Sequence, residues 1–390
     1  EELPPQSASG AQVLALVQED GLVAKNEEAV FQWVVRWWEA GERLEAELLA
    51  AMKHVRFAAM DVGFVKATVR TWPALRSFEG LGIVLDSYQE AGHALPRSGF
   101  GPRLVYVLGG RDNDGGYCSA DVYDPRTDAW KQVSSMPTIR ERPGCLTLDG
   151  KLYAVGGFND EGTPLSSADV YDPQSDSWQL LAEMVNARTE FAAAAAGGKI
   201  YAIGGENDDC DAMAAAEAFD PLLGTWAWAE VASMSVERSQ HAVAVVDGKI
   251  YVFGGYDANA QRLDSVEMYD PQTDSWQQQA SLPHAGSRHA AAVMCGKIYV
   301  SGGYSDGSEA TSTLLVFDPQ ANTWMELASM GTARGDHASA AIGGKLYVFG
   351  GFSNGAERLA SVEAYDLISN TWAQVSDLSV GRDEFVAVAL

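Results

Sequence analysis

Cysteines, basic residues and long apolar runs are all scarce in this sequence. The four cysteines, Cys118, Cys145, Cys210 and Cys295, share no CxxC spacing. They are too few to staple a chain of 390 residues, which argues for free thiols in a reducing compartment and a cytoplasmic location. Lysine and arginine number 27 against 53 acids, giving a formal charge of -26. Such a surface does not neutralise nucleic-acid phosphates or dock on anionic lipid, so neither nucleic acid nor membrane is expected as a partner. No apolar stretch approaches the ~20 residues of a membrane span. The opening "EELPPQSASG" has no basic region followed by an apolar one, so no signal peptide is expected. It also lacks an initiator Met, as a fragment or a processed chain would.

What the sequence does have is repetition. A glycine pair recurs six times, from Gly109-Gly110 and Gly156-Gly157 through to Gly350-Gly351. Tryptophan recurs at Trp130, Trp178, Trp226, Trp276, Trp324 and Trp372, in steps of 48 residues with one step of 50. A fixed period of about 50 residues marks a repeat architecture. Each repeat reads as four strands. A run such as "KIYVFGG" stops at glycines, and "SVEMYD" ends at an Asp-Pro turn. A strand then begins at Trp, and an apolar strand such as "HAVAVV" follows an arginine-bearing loop. Four-stranded repeats set radially make a β-propeller, so the expected fold class is an all-β six-bladed β-propeller over residues 99–390. The first repeat lacks its arginine-plus-apolar strand, and the C-terminal "RDEFVAVAL", residues 382–390, supplies it. Ahead of the propeller, residues 1–98 read as a smaller all-α domain, with apolar residues at helical spacing such as Val30, Val34 and Trp37.

The glycine pairs lack the GxGxxG or Walker pattern of a phosphate loop and read as structural. Arginine is more informative. Arg140, Arg188, Arg238, Arg334 and Arg382 share one repeat position. Gly286 takes that position in the remaining repeat, with Arg288 two residues later and Arg142 at the same offset. These residues begin the innermost strand and are expected to ring one mouth of the channel. The antiparallel partner strand brings Arg111, Phe158, Tyr256, Tyr304 and Phe352, each just after its glycine pair, to the same face. Arginine and aromatic anchors around a concavity suit a protein-binding hot spot for a target protein or peptide. The alternative is that each arginine pairs with a local acid, such as Glu190 or Glu384, and fixes its loop. Acidic loops such as "ENDDCD" read as solvated charge, giving a positive centre with an acidic rim, and the calcium-loop spacing is absent. His241, His289 and His337 share one register and read as core packing, so no metal, cofactor or catalytic constellation is expected.

Gly-Gly, Tyr-Asp and Trp at these offsets resemble a kelch propeller. The segments "LVAKNEEAVFQWVVRWWEA" and "LLAAMKHVRF" resemble the BACK domain of kelch-like proteins. The resemblance implies a non-enzymatic adaptor and substrate receptor whose propeller holds a target. An N-terminal BTB domain, not present in these residues, would engage a cullin ubiquitin-ligase scaffold. It also implies that the motif arginine, or the residue two later, and the aromatic after the glycines contribute to target binding. A cytoskeletal or multiprotein scaffold is the alternative, using the propeller for protein–protein interaction. A sugar-oxidase reading would need a Tyr/His copper set that is not recognisable here.

Overall fold

The computed structural model describes residues 104–112, 115–222, 227–367 and 369–390. The helical domain expected over residues 1–98 lies outside them. The propeller unit runs from Arg103 to Leu390. Its described residues form six four-stranded antiparallel sheets, and each sheet is one blade. Blade 2 shows the pattern, with Gly144–Leu148, Lys151–Val155, Ala168–Asp172 and Ser177–Leu180 following chain order from the axis outward. The innermost strands touch one another in cyclic order around the axis, with Val386–Ala389 meeting Gly144–Leu148.

Composition changes with distance from the axis for a physical reason. Second strands such as Lys249–Phe253 are covered on both faces by neighbouring blades, so they are apolar almost throughout and nearly wholly buried. Outer strands such as Thr323–Leu327 are mostly exposed and carry polar residues. The innermost and second strands are joined by two-residue hairpins, Asp149-Gly150, Gly197-Gly198, Asp247-Gly248, Cys295-Gly296 and Gly343-Gly344. Both residues of each have positive φ, the primed turn that matches strand twist.

The recurrent tryptophans tie the blades together. Trp178, Trp276, Trp324 and Trp372 each stack at a tilt on the aromatic ring opposite in the third strand. Their indole N–H groups donate to Ser134, Ala232, Ala280 and Ala328 of the preceding blade, at 2.7 to 2.9 Å. In blade 3 this position belongs to Trp228, which stacks on Phe219 and donates to the carbonyl of Ala182 at 3.1 Å. Trp226, the residue expected from the spacing, lies outside the described residues. The turn "DPLLGTWAW" is two residues longer than "DPQTDSW", which moves the structural tryptophan two places on.

The ring closes through the C-terminus. Val386–Ala389 pairs antiparallel with Val105–Leu108, matching Val105 with Ala389 and Leu108 with Val386. Trp130 completes the join by donating to the carbonyl of Ser376 in blade 6, at 3.1 Å.

Candidate functional site

The five motif arginines do not line the mouth. Arg140, Arg188, Arg238 and Arg334 are 0% exposed and Arg382 is 2% exposed. Each folds back into its own blade. Arg238 Nη1 donates to the carbonyls of Gly254 (3.0 Å) and Ser265 (3.2 Å), and Nη2 to Ser265 Oγ (3.1 Å) and Glu267 (2.7 Å). Arg140 and Arg334 repeat this set with Asp169 and Glu363, and Arg188 pairs with Glu217. Arg382 clamps Ser119 Oγ and Asp121 across the closing strand. Burial pulls Arg188, Arg238 and Arg334 below the usual arginine range, opposed by the paired carboxylate. Removing an arginine from water demands partners of this kind, and here both terminal nitrogens find them while Nε does not. Blade 5 makes the same point in reverse, because Gly286 replaces the arginine and Leu315 stands where the third strand carries the acid elsewhere.

The mouth is built two residues further on. Arg142, Glu190, Gln240, Arg288, Asp336 and Glu384 form a six-membered ring, one residue per blade, around a cavity of about 120 Å³. All six hold left-handed backbone, with φ between 52° and 60°. That conformation is uncommon for residues other than glycine. Here it turns the N–H of five of the six toward the neighbouring blade. Gln240 donates to the carbonyl of Glu190 (2.8 Å), Arg288 to Gln240 (2.9 Å), Asp336 to Arg288 (3.2 Å), Glu384 to Asp336 (3.1 Å) and Arg142 to Glu384 (2.8 Å).

The ring side chains are knitted to one another around the axis. Arg142 pairs with Glu190 and Glu384. Arg288 reaches Asp336 (2.9 Å), Gln240 (2.7 Å) and Glu190 (3.2 Å). Burial raises Glu190 to about 7 against the pull of Arg142 and Arg288. For the two arginines burial acts downward, but the surrounding acids win and both are held above the usual range. With two arginines against three carboxylates, Glu190 being about half protonated near pH 7, the centre is at most weakly negative, which corrects the expectation of a positive one. Glu190, Gln240, Asp336 and Glu384 were not singled out as mouth residues from sequence, although their shared offset with Arg142 and Arg288 was there to find.

Beneath the ring lie Pro143, Phe191, His241, His289, His337 and Phe385, one per blade. Burial keeps the three histidines neutral, lowering His241 and His337 to about 3 and His289 to about 4. His289 Nε2 lies 3.1 Å from the carbonyl of Phe253, and His337 Nε2 lies 2.9 Å from Ser301 Oγ. Among the described residues no group of three or more His, Cys, Asp or Glu could hold a metal ion.

The residues after the glycine pairs form an outer circle. Phe158, Tyr256, Tyr304 and Phe352 are half-buried and bridge to Glu141, Ser239, Ser287 and Gly335, the residues that immediately precede the ring. Arg111 bridges to Asp383 in the same way, and Glu206 fills the sixth place opposite Thr189. The Arg111 side chain is 41% exposed. Arg262 lies over Tyr256 at 4.9 Å and Arg358 over Phe352 at 5.9 Å, two further rim cations that sequence reasoning missed. The structure therefore brings together Arg142, Arg288, Arg111 and the four aromatics on one face, and it sets the five motif arginines inside the blades.

Comparison with known families agrees with this architecture. The KLHDC2/KLHL20/DRC7 Kelch-repeats domain matches residues 145–333 and, in an overlapping placement, 190–381; together these exceed half of the chain. A Kelch motif matches residues 96–137, and the BACK model, "BTB And C-terminal Kelch", matches residues 6–70. This chain belongs to the BACK-kelch family. Kelch-like protein 3 of Pongo abelii is 33% identical over 170 residues, covering 39% of this chain and 28% of the relative. Kelch-like protein 2 of Homo sapiens is 32% identical over 164 residues, covering 38% and 27%. The chain thus matches little more than a quarter of the length of these relatives. A solved structure titled "Structure of YjhT" superposes with a TM-score of 0.59 at 17% identity, over 70% of this chain and 97% of that one, a likeness of fold. Within this BACK-kelch chain, the second placement of the repeat model spans the ring residues Glu190, Gln240, Arg288 and Asp336.

Proposed function

We propose that this protein is a non-enzymatic adaptor that captures a target protein on the mouth face of its propeller, in the cytoplasm, as the substrate receptor of a cullin-type ubiquitin ligase. The observation that carries the reading is the six-residue ring, in which left-handed backbone at every blade holds an inter-blade charge network around the cavity of a concave face. Uncommon backbone held at the same place in six repeats is over-determined by its surroundings, as binding surfaces often are. Half-buried aromatics set around that ring offer rigid contact area of the kind that anchors protein partners. The contact set comprises Arg142, Arg288, Arg111, Phe158, Tyr256, Tyr304 and Phe352. Residues 1–98 form the BACK-like helical domain in this reading, and a cullin would be reached through a BTB domain outside these residues.

The ligase role has its own test. Proteins captured through the mouth should rise in abundance when the full-length protein is depleted from cells and fall when it is restored. Captured proteins whose abundance is indifferent to depletion would remove the ligase role. A scaffold would then be the better reading, and the exposed apolar side chains Leu180 (71%) and Met325 (52%) on outer strands give it a place to bind.

A further inference from the structure

Charge on the mouth face is unevenly placed. The loop tips of blades 2 and 3 carry Asp160, Glu161, Asp208, Asp209 and Asp211, all exposed. Blades 4 to 6 carry fewer exposed acids there, Asp306, Glu309 and Glu357, and present an aromatic shelf of Tyr256, Tyr304 and Phe352, with Arg262 and Arg358 over the first and last of these rings. Between the acidic arc and the shelf lies the mouth cavity of about 120 Å³. A single water needs roughly 10–15 Å³, so the cavity has room for several waters or for the end of one side chain.

The lining of that cavity selects for charge. Its ring carries three carboxylates against two arginines, and each arginine is already held by two of those carboxylates. An incoming anion would have to displace them. His241 lines the same cavity and is 7% exposed; its ring lies against the backbone of Ile203 and Arg238, and neither ring nitrogen makes a well-aligned hydrogen bond. Being neutral, it has one nitrogen able to accept a hydrogen bond. An acceptor beneath a ring of net negative charge suits a cationic donor. The formal charge of -26 acts in the same direction at longer range.

We infer that the mouth takes the side chain of a lysine or arginine from a partner protein, whose apolar flank lies over Tyr256, Tyr304 and Phe352 and whose further basic residues face the acidic arc. This rests on the mouth being the binding face. Selection of a random-peptide display library on the full chain reads the partner's chemistry, with enrichment of Lys or Arg beside apolar residues expected. A synthetic peptide from that set should bind His241→Phe about tenfold more weakly, the loss expected for a hydrogen bond to a charged group. Phe191 and Phe385 occupy the same register, so this variant keeps the packing. The peptide should also bind more weakly to the Asp208→Asn, Asp209→Asn, Asp211→Asn triple variant. Enrichment of acidic sequences whose binding is lost with Gln240→Arg would overturn the basic-partner inference and leave the mouth as the binding face. No enriched sequence, or sequences indifferent to all three variants, would overturn both.

Discussion

Replacing Arg238 by methionine keeps the length of the side chain and removes its charge and donors. The change strands Glu267, 1% exposed, and leaves the carbonyls of Gly254 and Ser265 without their guanidinium. Breaking a buried pair by removing one partner costs about 3–5 kcal/mol. At roughly 2 °C per kcal/mol for a unit of this size, the propeller transition should fall by about 6–10 °C. Scanning calorimetry of the full chain reads this directly. Adding Glu267→Leu removes the stranded carboxylate, as blade 5 does with Leu315, and should recover a clear part of the loss. A single variant melting within about 2 °C of the parent, on the same scale, would refute the claim that these arginines are structural clamps. A double variant melting as low as the single would refute the reason given for it.

Three further outcomes follow from the same structure. The buried histidines are held neutral, so between pH 6.5 and about 4 the unfolded chain binds more protons and stability falls with acidity. His241→Phe, His289→Phe and His337→Phe together should flatten the melting temperature across that window; because Glu190, raised to about 7, acts in the opposite sense, the comparison is variant against parent at each pH, and parallel curves would count against buried neutral histidines. Removal of residues 382–390 exposes the edge of Val105–Leu108 and should yield aggregated protein on size exclusion, whereas a soluble monomer with parental melting would contradict closure by that strand. Gly303→Ala places a Cβ 2.7 Å from the carbonyl of Ser287 at a φ of 89°, and should lower the melting temperature by several degrees, more than the same substitution at the open Gly307.

Sequence made the six blades legible because each repeat carries its own glycine pair and aromatic pair, and the period survives the insertion in blade 3. Trp228 escaped because a spacing rule cannot tell which of two nearby tryptophans the longer turn carries into register; the exposure pattern of the outer strand decides it. Arginine position was legible and arginine direction was not. Arg140 and Arg142 are two residues apart, yet one turns into the blade toward Asp169 and the other out to Glu190 and Glu384 of the two neighbouring blades. The loss of the acid at Leu315 together with the arginine at Gly286 was the readable sign that the first position is a buried pair. The charge of the mouth was misjudged for the same reason, since its acids come from blades far apart in sequence.

Capture of partners by the mouth is the property to measure first. Affinity capture from a native extract would compare the parent chain with a mouth variant, Gln240→Arg with Tyr256→Ala, and a side variant, Leu180→Glu with Met325→Glu, all confirmed folded by calorimetry. Arginine already occupies the Gln240 register at Arg142 and Arg288, so it can fill the cavity without disturbing the backbone. A discrete set of proteins retained by the side variant and lost by the mouth variant is the expected result. Partners lost only by the side variant, or kept by both, would contradict it.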